Sequence, residues 1–384
     1  MYQLPLQLNS LQPTPFYFYD LDLLNSTLDE VKRLIDGKPY FVHYAVKANS
    51  NPVILKEIAS KGFGADLVSG EEIKVALEAG FSPSKMMFAG VGKTDMEINL
   101  GLSHGIACFN VESIPELQVI DELAQQAGVM ARVAIRVNPD IDAHTHSYIT
   151  TGTAENKFGI DIESLPQVVD LAQQLPNIDL QGLHFHIGSQ ITLMEPYRML
   201  CERINELLSF FESRDVHFKI IDVGGGLGVD YENPDANPIP SLGQFFDVFS
   251  KHLHLREGQQ LHFELGRALV AQCGSLIARV VFVKENRNKK FVILDAGMTQ
   301  LVRPALYQAH HLIQNLSAAQ NAETDVYDVV GPICESSDVF GHDERLPITR
   351  RGDIFAIRSA GAYGEVMASR YNMRALPPSV FFRS

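Results

Sequence analysis

From residue 40 onward, short apolar runs rich in β-branched residues alternate with longer segments of helical periodicity. The predicted strands are Phe41–Val46, Ala65–Val68, Met86–Ala89, Ala107–Asn110, Arg132–Val137, Gly182–His186, Lys219–Val223 and Leu261–Leu265. The amphipathic segments between them include Pro52–Ser60, Glu71–Ala79, Thr94–Leu102, Ile114–Gln126, Leu165–Leu175 and Tyr197–Glu212. Eight strands separated by helical crossovers predict an α/β fold built on a closed parallel (β/α)8 TIM barrel, with an open doubly wound sheet as the alternative.

The pattern changes after Arg267, where predicted strands follow one another without helices between them. Leu276–Val283 and Lys290–Leu294 flank a polar turn at Lys284–Lys289 and predict a hairpin. Further strand-like runs follow at Val326–Val330, Asp353–Arg358 and Ser379–Phe382. We therefore expect a barrel domain over residues 22–268 and a C-terminal, mostly-β domain over residues 269–384, which the N-terminal strand within residues 1–21 joins.

Composition and charge exclude some classes of function. Hydrophobic residues make up 46% and charged residues 20%, as in proteins with a sizeable core. With 32 basic and 46 acidic residues the net charge is −14, which argues against nucleic-acid or membrane partners. The first basic residue is Lys32, so neither a secretory leader nor a transit peptide is expected. Four cysteines without a CxxC pair favour a cytoplasmic location.

Polar residues and glycines cluster where the predicted strands end, and that end of a (β/α)8 barrel carries the chemistry. The residues concerned are Lys47, Asp66, Ser69, Arg136, Asn138, His184, His186, Gly224–Gly226, Glu264, Gly266 and Arg267. A lysine at a desolvated strand end is a candidate nucleophile for a carbonyl group. A lone lysine is more often a surface residue, so Lys47 gains weight only from its neighbours.

The glycine-rich segment Gly224–Gly228 can present several backbone N–H groups to a phosphate. It lacks the Lys-Ser/Thr ending of a P-loop and the spacing of the dinucleotide fingerprint, which disfavours ATP and NAD. A single phosphomonoester remains as a ligand, and a tight turn without any ligand is the alternative.

His184 and His186 are two residues apart on one predicted strand and are expected to share a face. Metal-dependent barrel hydrolases also use such a pair, but no second histidine cluster completes a ligand set, so no metal is expected. A histidine stacked on a planar ring fits the other residues better, with a satisfied core histidine as the alternative. If the ligand is a pyridine cofactor, a carboxylate such as Glu264 beside the ring nitrogen favours the protonated form of the ring. An ion pair with Arg267 is the alternative role of Glu264.

These motifs and several in the second half resemble the diaminopimelate decarboxylases, group IV pyridoxal-phosphate-dependent decarboxylases with the alanine-racemase-like fold (fold type III). The resemblance covers nearly the whole chain and is carried by Tyr44–Asn49, Phe63–Gly70, His184–Gln190, Asp222–Gly228, Leu294–Met298, Arg303–Tyr307, Gly331–Asp338 and Gly361–Gly364. One departure is visible at strand eight, where the family usually has Glu-Pro-Gly-Arg and this chain has Leu265 at the proline position. We expect it to alter the rigidity of the turn rather than the chemistry.

The resemblance implies pyridoxal 5'-phosphate as the cofactor, held covalently by Lys47 with His186 stacked on its ring. The other implied cofactor-binding residues are Asp66, Ser189, Gly224, Gly225, Gly226, Glu264, Gly266, Arg267 and Tyr363. The remote carboxylate of the substrate, meaning the one that stays in the product, is implied to bind Arg267, Arg303 and Tyr307. Glu335 is implied to bind the ammonium group beside that carboxylate, and Tyr363 is a further implied substrate-binding residue. Cys334 is implied as the catalytic proton donor, delivered with Glu335 from the partner subunit of a homodimer with shared sites.

The implied reaction is decarboxylation of meso-2,6-diaminoheptanedioate to L-lysine and CO2, the last step of lysine biosynthesis. The alternatives are a decarboxylase for another diamino acid such as ornithine or carboxynorspermidine, an amino-acid racemase, and a non-catalytic pyridoxal-phosphate carrier. Arg267, Arg303 and Tyr307 suit a substrate with a remote carboxylate. A racemase needs a base on each face of Cα, and the Cys334–Glu335 pair counts against a carrier.

Overall fold

The computed structural model describes residues 13–141, 157–319 and 321–384. They divide into two compact units. The first comprises the described part of Leu28–Gly228 together with Ser241–Gly266, and the second comprises residues 13–27, Val229–Pro240 and the described part of Arg267–Ser384. Within the described ranges, no helix is both long enough and apolar enough to cross a bilayer.

The strands of the described residues are numbered in chain order. They are β1 (Phe16–Asp20), β2 (Tyr40–Ala45), β3 (Gly64–Leu67), β4 (Met86–Phe88), β5 (Cys108–Val111), β6 (Ala131–Asn138), β7 (Ile160–Asp161), β8 (Ile178–His184), β9 (Ile220–Asp222), β10 (Gln260–Leu265), β11 (Gly274–Asn286), β12 (Lys289–Leu294), β13 (Ile313–Asn315), β14 (Thr324–Val330), β15 (Val339–Pro347), β16 (Ile354–Ile357) and β17 (Ser379–Phe382).

The α-helices are numbered in the same way. They are α1 (Leu21–Ile35), α2 (Pro52–Ser60), α3 (Gly70–Ala79), α4 (Asp95–His104), α5 (Ile114–Ala127), α6 (Leu165–Gln174), α7 (Glu195–Glu212), α8 (Leu242–His252), α9 (Arg267–Val270) and α10 (Arg303–Tyr307). Helix α4 begins with a capping box between Thr94 and Glu97 and ends at Gly105 in the left-handed conformation. The bounds of α2 and the start of α5 coincide with the predicted ones, because proline at the first turn marks both.

The first unit is a closed parallel barrel. Its strands pair in the order β5-β4-β3-β2-β10-β9-β8-β6, and β6 also pairs with β5, which closes the sheet; the short strand β7 adds to β6. The predicted (β/α)8 barrel is therefore confirmed, and the open doubly wound sheet is excluded. Closure places the carboxyl ends of all eight strands around one opening, here called the barrel mouth.

An aromatic cluster packs between the barrel and α8. Phe263 on β10 is fully buried and makes edge-to-face contacts with Phe245, Phe246 and Phe249, at centroid distances of 5.6, 5.0 and 5.2 Å. Such pairs add to the apolar burial that fixes the helix on the strand. Helix α8 and helix α1 were not among the predicted segments.

The second unit is built on an antiparallel-rich sheet with the strand order β13-β16-β11-β12-β14-β15. Strand β1 pairs antiparallel with β11 and parallel with β17. The predicted hairpin is confirmed as β11 and β12, although Asn286 already pairs with Lys289 and the turn is shorter than expected. Strand β15 is absent from the predicted strands because four consecutive polar residues, 342–345, interrupt its apolar positions and remove the alternating signal.

Candidate functional site

Lys47 lies at the barrel mouth in the 3-10 turn Val46–Ala48 that follows β2, two residues beyond the strand end. Its Nζ donates to Oδ2 of Asp66 on β3 at 2.9 Å. The Asp66 carboxyl group is fully buried, whereas the Lys47 side chain is 37% exposed. The amine is therefore held in place by a carboxylate on the neighbouring strand and is still accessible to a ligand.

A second acidic side chain faces this pair from the start of α3. The Glu72 carboxylate accepts a hydrogen bond from the backbone N–H of Val68 at 2.8 Å. Burial, together with the nearby Asp66 carboxylate, raises the pKa of Glu72 to about 7, although Val68 and Lys47 oppose the rise. A carboxyl group with this pKa titrates near neutral pH, and the charges of Asp66 and Lys47 both act on it.

Glu264 at the end of β10 is the buried carboxylate of the mouth. Its Oε2 lies 3.1 Å from Nε2 of His184, and its Oε1 accepts from Nδ2 of Asn110 at 3.1 Å. Burial opposes ionisation of Glu264, but His184 and Lys47 outweigh it and hold its pKa below the usual range. The mouth therefore contains a carboxylate that stays negatively charged although it is removed from solvent.

The two histidines of the HxH segment have different positions. Strand β8 ends at His184, so only the first of the two histidines predicted to share a strand belongs to it. His186 follows in the loop, where its Nδ1 accepts from the backbone N–H of Gly225 at 3.3 Å. Burial and then Arg136 and Lys47 lower the pKa of His186 to about 3, so its ring is neutral and can stack on a planar ligand.

His184, Asp222 and Glu264 have ligand atoms within 4.8 Å of one another and form a possible metal cluster. His184 Nε2 contacts Glu264 and Asp222 Oδ1 accepts from the Gly224 N–H at 2.8 Å, whereas Asp222 Oδ2 and His184 Nδ1 have no hydrogen-bond partner among the described residues. Burial and the Glu264 charge raise the pKa of Asp222. A raised pKa weakens Asp222 as a metal ligand, because metal binding requires the deprotonated carboxylate, and the cluster is better described as a hydrogen-bonded network.

The glycine run after β9 is required by backbone geometry. Gly224 and Gly226 have φ of +68° and +98°, which favours glycine. A Cβ on Gly225 would lie 1.8 Å from the backbone oxygen of Glu264. The segment is therefore a tight turn, whose Gly224 and Gly225 N–H groups donate to Asp222 and His186.

Two further predicted cofactor-binding residues of the first unit, Ser189 and Gly266, follow strands β8 and β10. Ser189 is partly buried in the loop after β8. Gly266 follows β10, and a Cβ there would lie 3.0 Å from the Cβ of Ala48 beside the lysine turn. Leu265, at the position where the family has proline, is buried and in register with Tyr44 of β2.

The second unit contains a separate cluster of cations and aromatic rings. Arg267 Nη1 donates to the Tyr231 hydroxyl at 2.7 Å, and its Cζ lies 4.9 Å from the centroid of the Tyr363 ring. Arg303 Cζ lies 4.7 Å from the Tyr231 ring centroid, and Tyr307 follows Arg303 by one helical turn in α10. Both guanidinium groups are buried. The cluster therefore combines four predicted residues with Tyr231, which the sequence analysis did not identify.

Tyr231 lies between the two arginines and responds to both. Burial raises the pKa of its hydroxyl, but the positive charges of Arg267 and Arg303 outweigh that effect and lower it. A strong positive potential therefore exists in this buried region, as an anionic ligand group requires.

Cys334 and Glu335 lie on an exposed loop between β14 and β15. The Cys334 backbone N–H donates to Oδ1 of Asn372 at 3.2 Å, and the Tyr371 hydroxyl donates to the Glu335 carboxylate at 2.5 Å. The loop is thus held by a neighbouring turn while the thiol remains accessible.

Sequence reasoning missed several residues of these clusters for different reasons. Asn110 and Asp222 each had a usable signal, since Asn110 ends a predicted strand and Asp222 directly precedes the glycine run. Tyr231 had none, because it lies in a loop without a motif. Its role depends on two arginines that are 36 and 72 positions away in the chain.

Comparison with known proteins agrees with this geometry. The family description "pyridoxal-dependent decarboxylase, pyridoxal binding domain" matches residues 21–271. A diaminopimelate decarboxylase of Bacteroides thetaiotaomicron is 56% identical over 365 residues, covering 95% of this chain and 94% of that protein. One of Vibrio cholerae is 43% identical and covers 94% of this chain and 85% of that protein. The crystal structure of the Helicobacter pylori diaminopimelate decarboxylase with L-lysine matches with a TM-score of 0.93 at 39% identity, covering 98% of this chain and 93% of that chain.

A first prediction concerns the glycine run. We expect Gly225→Ala to lower the thermal unfolding temperature of the protein without cofactor, because the new methyl group meets a backbone oxygen that cannot move aside. The expected loss is about 2–4 kcal/mol. Gly243→Ala is the matched control, since Gly243 lies in α8 with no atom within 4 Å of its Cβ position. Equal unfolding temperatures for the two variants would contradict the argument.

A second prediction concerns pH. Because the folded state holds the Glu72 proton up to about pH 7, the wild-type protein loses stability as the pH rises from the ordinary glutamate pKa of 4.5 towards that value. Glu72→Gln keeps an oxygen for the Val68 N–H and lacks the charge. We expect its stability advantage over wild type to grow by about 2 kcal/mol over this pH range.

Urea unfolding at several pH values measures this gain. Glu71→Gln, at the exposed neighbouring position, is the control. A Glu72→Gln advantage that stays constant with pH would show that the carboxyl group does not titrate in this range.

Proposed function

The chain belongs to the diaminopimelate decarboxylases, a family of pyridoxal-dependent decarboxylases, and on that basis we propose the roles of its individual residues. It is a pyridoxal-phosphate-dependent carboxy-lyase that converts meso-2,6-diaminoheptanedioate to L-lysine and CO2, the last step of lysine biosynthesis. The observation that carries this conclusion is the identity of 56% across 95% of the chain.

The residues of the barrel mouth fit pyridoxal phosphate. An accessible amine, a buried carboxylate that stays ionised and a neutral histidine are what attachment, pyridine protonation and ring stacking need, and Lys47, Glu264 and His186 supply them. Within the described residues, Asp66 Oδ1 and His184 Nδ1 are buried atoms without a hydrogen-bond partner, as expected for a site that receives a polar ligand. When bound, the protonated ring supplies a sink for the electrons that remain on the substrate Cα as CO2 leaves.

We assign the surrounding residues as follows. Lys47 holds the cofactor, and Asp66 orients the Lys47 amine through their 2.9 Å contact. Glu264 binds the pyridine nitrogen and is itself held by His184 and Asn110. The phosphate is assigned to Ser189, the Gly224–Gly226 turn and the backbone around Gly266. Arg267 and Tyr363 are assigned to the cofactor.

Substrate recognition is assigned to the second unit. Arg267, Arg303 and Tyr307 bind the remote carboxylate, meaning the one that stays in the product. Glu335 binds the ammonium group beside it, and Tyr363 contacts the bound molecule. Two buried guanidinium groups around Tyr231 support this assignment, because a carboxylate is the complementary group. A decarboxylase for ornithine would have no use for this cluster.

The proton that replaces CO2 on Cα is assigned to the thiol of Cys334. An exposed thiol on a loop held by Asn372 and Tyr371 suits a group that acts in the site of a partner subunit. We therefore propose a homodimer with shared sites. With a net charge of −14 we propose a cytoplasmic enzyme without nucleic-acid or membrane partners, with a cofactor domain over residues 22–268 and a completing domain over residues 269–384 that includes the strand within 1–21.

The direct test of the function is CO2 release by the holoenzyme from meso-diaminopimelate, its LL and DD stereoisomers, L-lysine and L-ornithine. We expect turnover of the meso compound and little of lysine or ornithine. Arg303→Ala should lower kcat/KM for diaminopimelate by a factor that corresponds to about 2–3 kcal/mol of transition-state binding, since a charge-assisted contact is lost. Decarboxylation of ornithine at a rate equal to that of diaminopimelate would overturn the assignment of substrate.

A second test concerns Lys47. We expect the purified holoenzyme to be yellow, and borohydride treatment followed by peptide mapping should place the cofactor label on the peptide that contains Lys47. Lys47→Ala should lose the covalent label and nearly all turnover. Lys93→Ala is a control for lysine loss, because Lys93 is buried against Glu116 and carries no proposed chemistry. A label on any other lysine contradicts the assignment.

Shared sites can be tested by mixing two inactive variants. Lys47→Ala and Cys334→Ala chains are refolded or exchanged together. If each site combines residues of two subunits, a mixed dimer has one site with both defects and one with neither, and activity returns to about half that of wild type per mixed dimer. Demonstrated subunit exchange without recovery would place Cys334 in the site of its own chain.

A further inference from the structure

His311 makes two short hydrogen bonds in the second unit, and neither belongs to the roles assigned above. Its Nε2 lies 2.7 Å from Nη1 of Arg303, and its Nδ1 lies 2.7 Å from the backbone oxygen of Arg358. The side chain is 1% exposed. Its ring also packs edge-to-face on Tyr231, with centroids 5.0 Å apart.

These contacts determine the protonation of His311. A carbonyl oxygen can only accept, so Nδ1 carries the hydrogen and donates to Arg358. A guanidinium group can only donate, so Nε2 must present its lone pair to Arg303. The imidazole is therefore neutral, in agreement with burial and the Arg303 charge, which lower the pKa of His311. Protonation would both remove the acceptor and place two cations in contact.

Because its hydrogen-bond acceptor, His311, is neutral, Arg303 keeps a positive charge that a carboxylate partner would neutralise. Buried arginines usually have an acidic partner, which fixes them but also neutralises their charge. Among the described residues, none of the ion pairs joins Arg303 to a carboxylate. Arg303 is held instead by His311 in the plane of its guanidinium group and by the Tyr231 ring, whose centroid is 4.7 Å from Cζ. The Tyr231 hydroxyl also hydrogen-bonds Arg303. Arg303 is thus oriented by neutral groups, and no carboxylate among the described residues neutralises its positive charge.

We infer that His311 is a positioning residue for carboxylate recognition: through Nε2 it fixes the orientation of Arg303 without neutralising it, so that an incoming carboxylate meets a pre-oriented cation. This inference rests on the proposed function, which assigns the remote carboxylate of the substrate to Arg303. It predicts an effect on ligands that carry this carboxylate and none on ligands that lack it.

The test compares two competitive inhibitors of the holoenzyme. L-lysine retains the remote carboxylate, whereas 1,5-diaminopentane has the same length and both amines but no carboxylate. In His311→Phe, which keeps a flat ring but has no lone pair for Arg303, we expect the inhibition constant of L-lysine to rise about tenfold. The KM of diaminopimelate should rise in parallel, and the constant of 1,5-diaminopentane should stay within twofold.

Two further variants make the result specific. His310→Phe is the matched control, because the neighbouring His310 is partly exposed, bonds Glu232 at 3.2 Å and does not contact Arg303 in the hydrogen bonds described. We expect it to leave both inhibition constants unchanged. His311→Gln retains an oxygen that can accept from Arg303, and we expect a smaller rise for L-lysine, about threefold. If His311→Phe does not fold, the two inhibition constants are compared in His311→Gln alone.

The outcomes separate this inference from the proposed function. A variant at His311 in which both constants rise equally, or in which neither changes, overturns the inference, because a purely structural residue does not distinguish the two ligands. A wild-type holoenzyme that releases no CO2 from diaminopimelate overturns the proposed function instead. Selective weakening of L-lysine in the His311 variants, together with wild-type turnover, supports both.

Discussion

Pairing of β5 with β6 closes the parallel sheet, and the rest of the site depends on this closure. Only a closed barrel brings Lys47, Asp66, His184 and Glu264, which belong to four different strand ends, into one opening. Ionisable groups that share a small buried volume must then compensate one another, because an isolated charge there would be too costly. The Lys47–Asp66 contact and the Glu264–His184 contact are the two results of that requirement.

Close backbone packing is the second consequence of closure. Strand β10 lies so near the loop after β9 that only glycine fits at position 225 opposite the Glu264 oxygen. The same packing turns the Gly224 and Gly225 N–H groups towards Asp222 and His186, so the turn is tied to the groups of the barrel mouth. Backbone geometry alone therefore accounts for the glycines at these positions.

The second unit holds buried charge of the opposite sign. The barrel mouth keeps a negative charge on Glu264, whereas the cluster around Tyr231 keeps positive charge on Arg267 and Arg303. His311 holds Arg303 by a lone pair, and Tyr231 contacts Arg303 with its ring face and Arg267 with its hydroxyl group. Cationic groups held in this way suit recognition of a carboxylate, which is what separates diaminopimelate from simpler diamines.

The sequence by itself determined the barrel, the hairpin of the second unit and most candidate residues of the mouth. Alternating strand and helix periods are local, and the polar residues at strand ends must meet wherever parallel strands close into a barrel. Family motifs added the arginines and the Cys334 loop. The sequence did not reveal that β8 stops before His186, that Asp222 and Asn110 complete the Glu264 network, or that His311 bonds Arg303.

Only the tertiary structure decided these points, because hydrogen bonds between distant residues and the charge state of a buried group depend on which atoms surround it, and no local pattern in the chain records that.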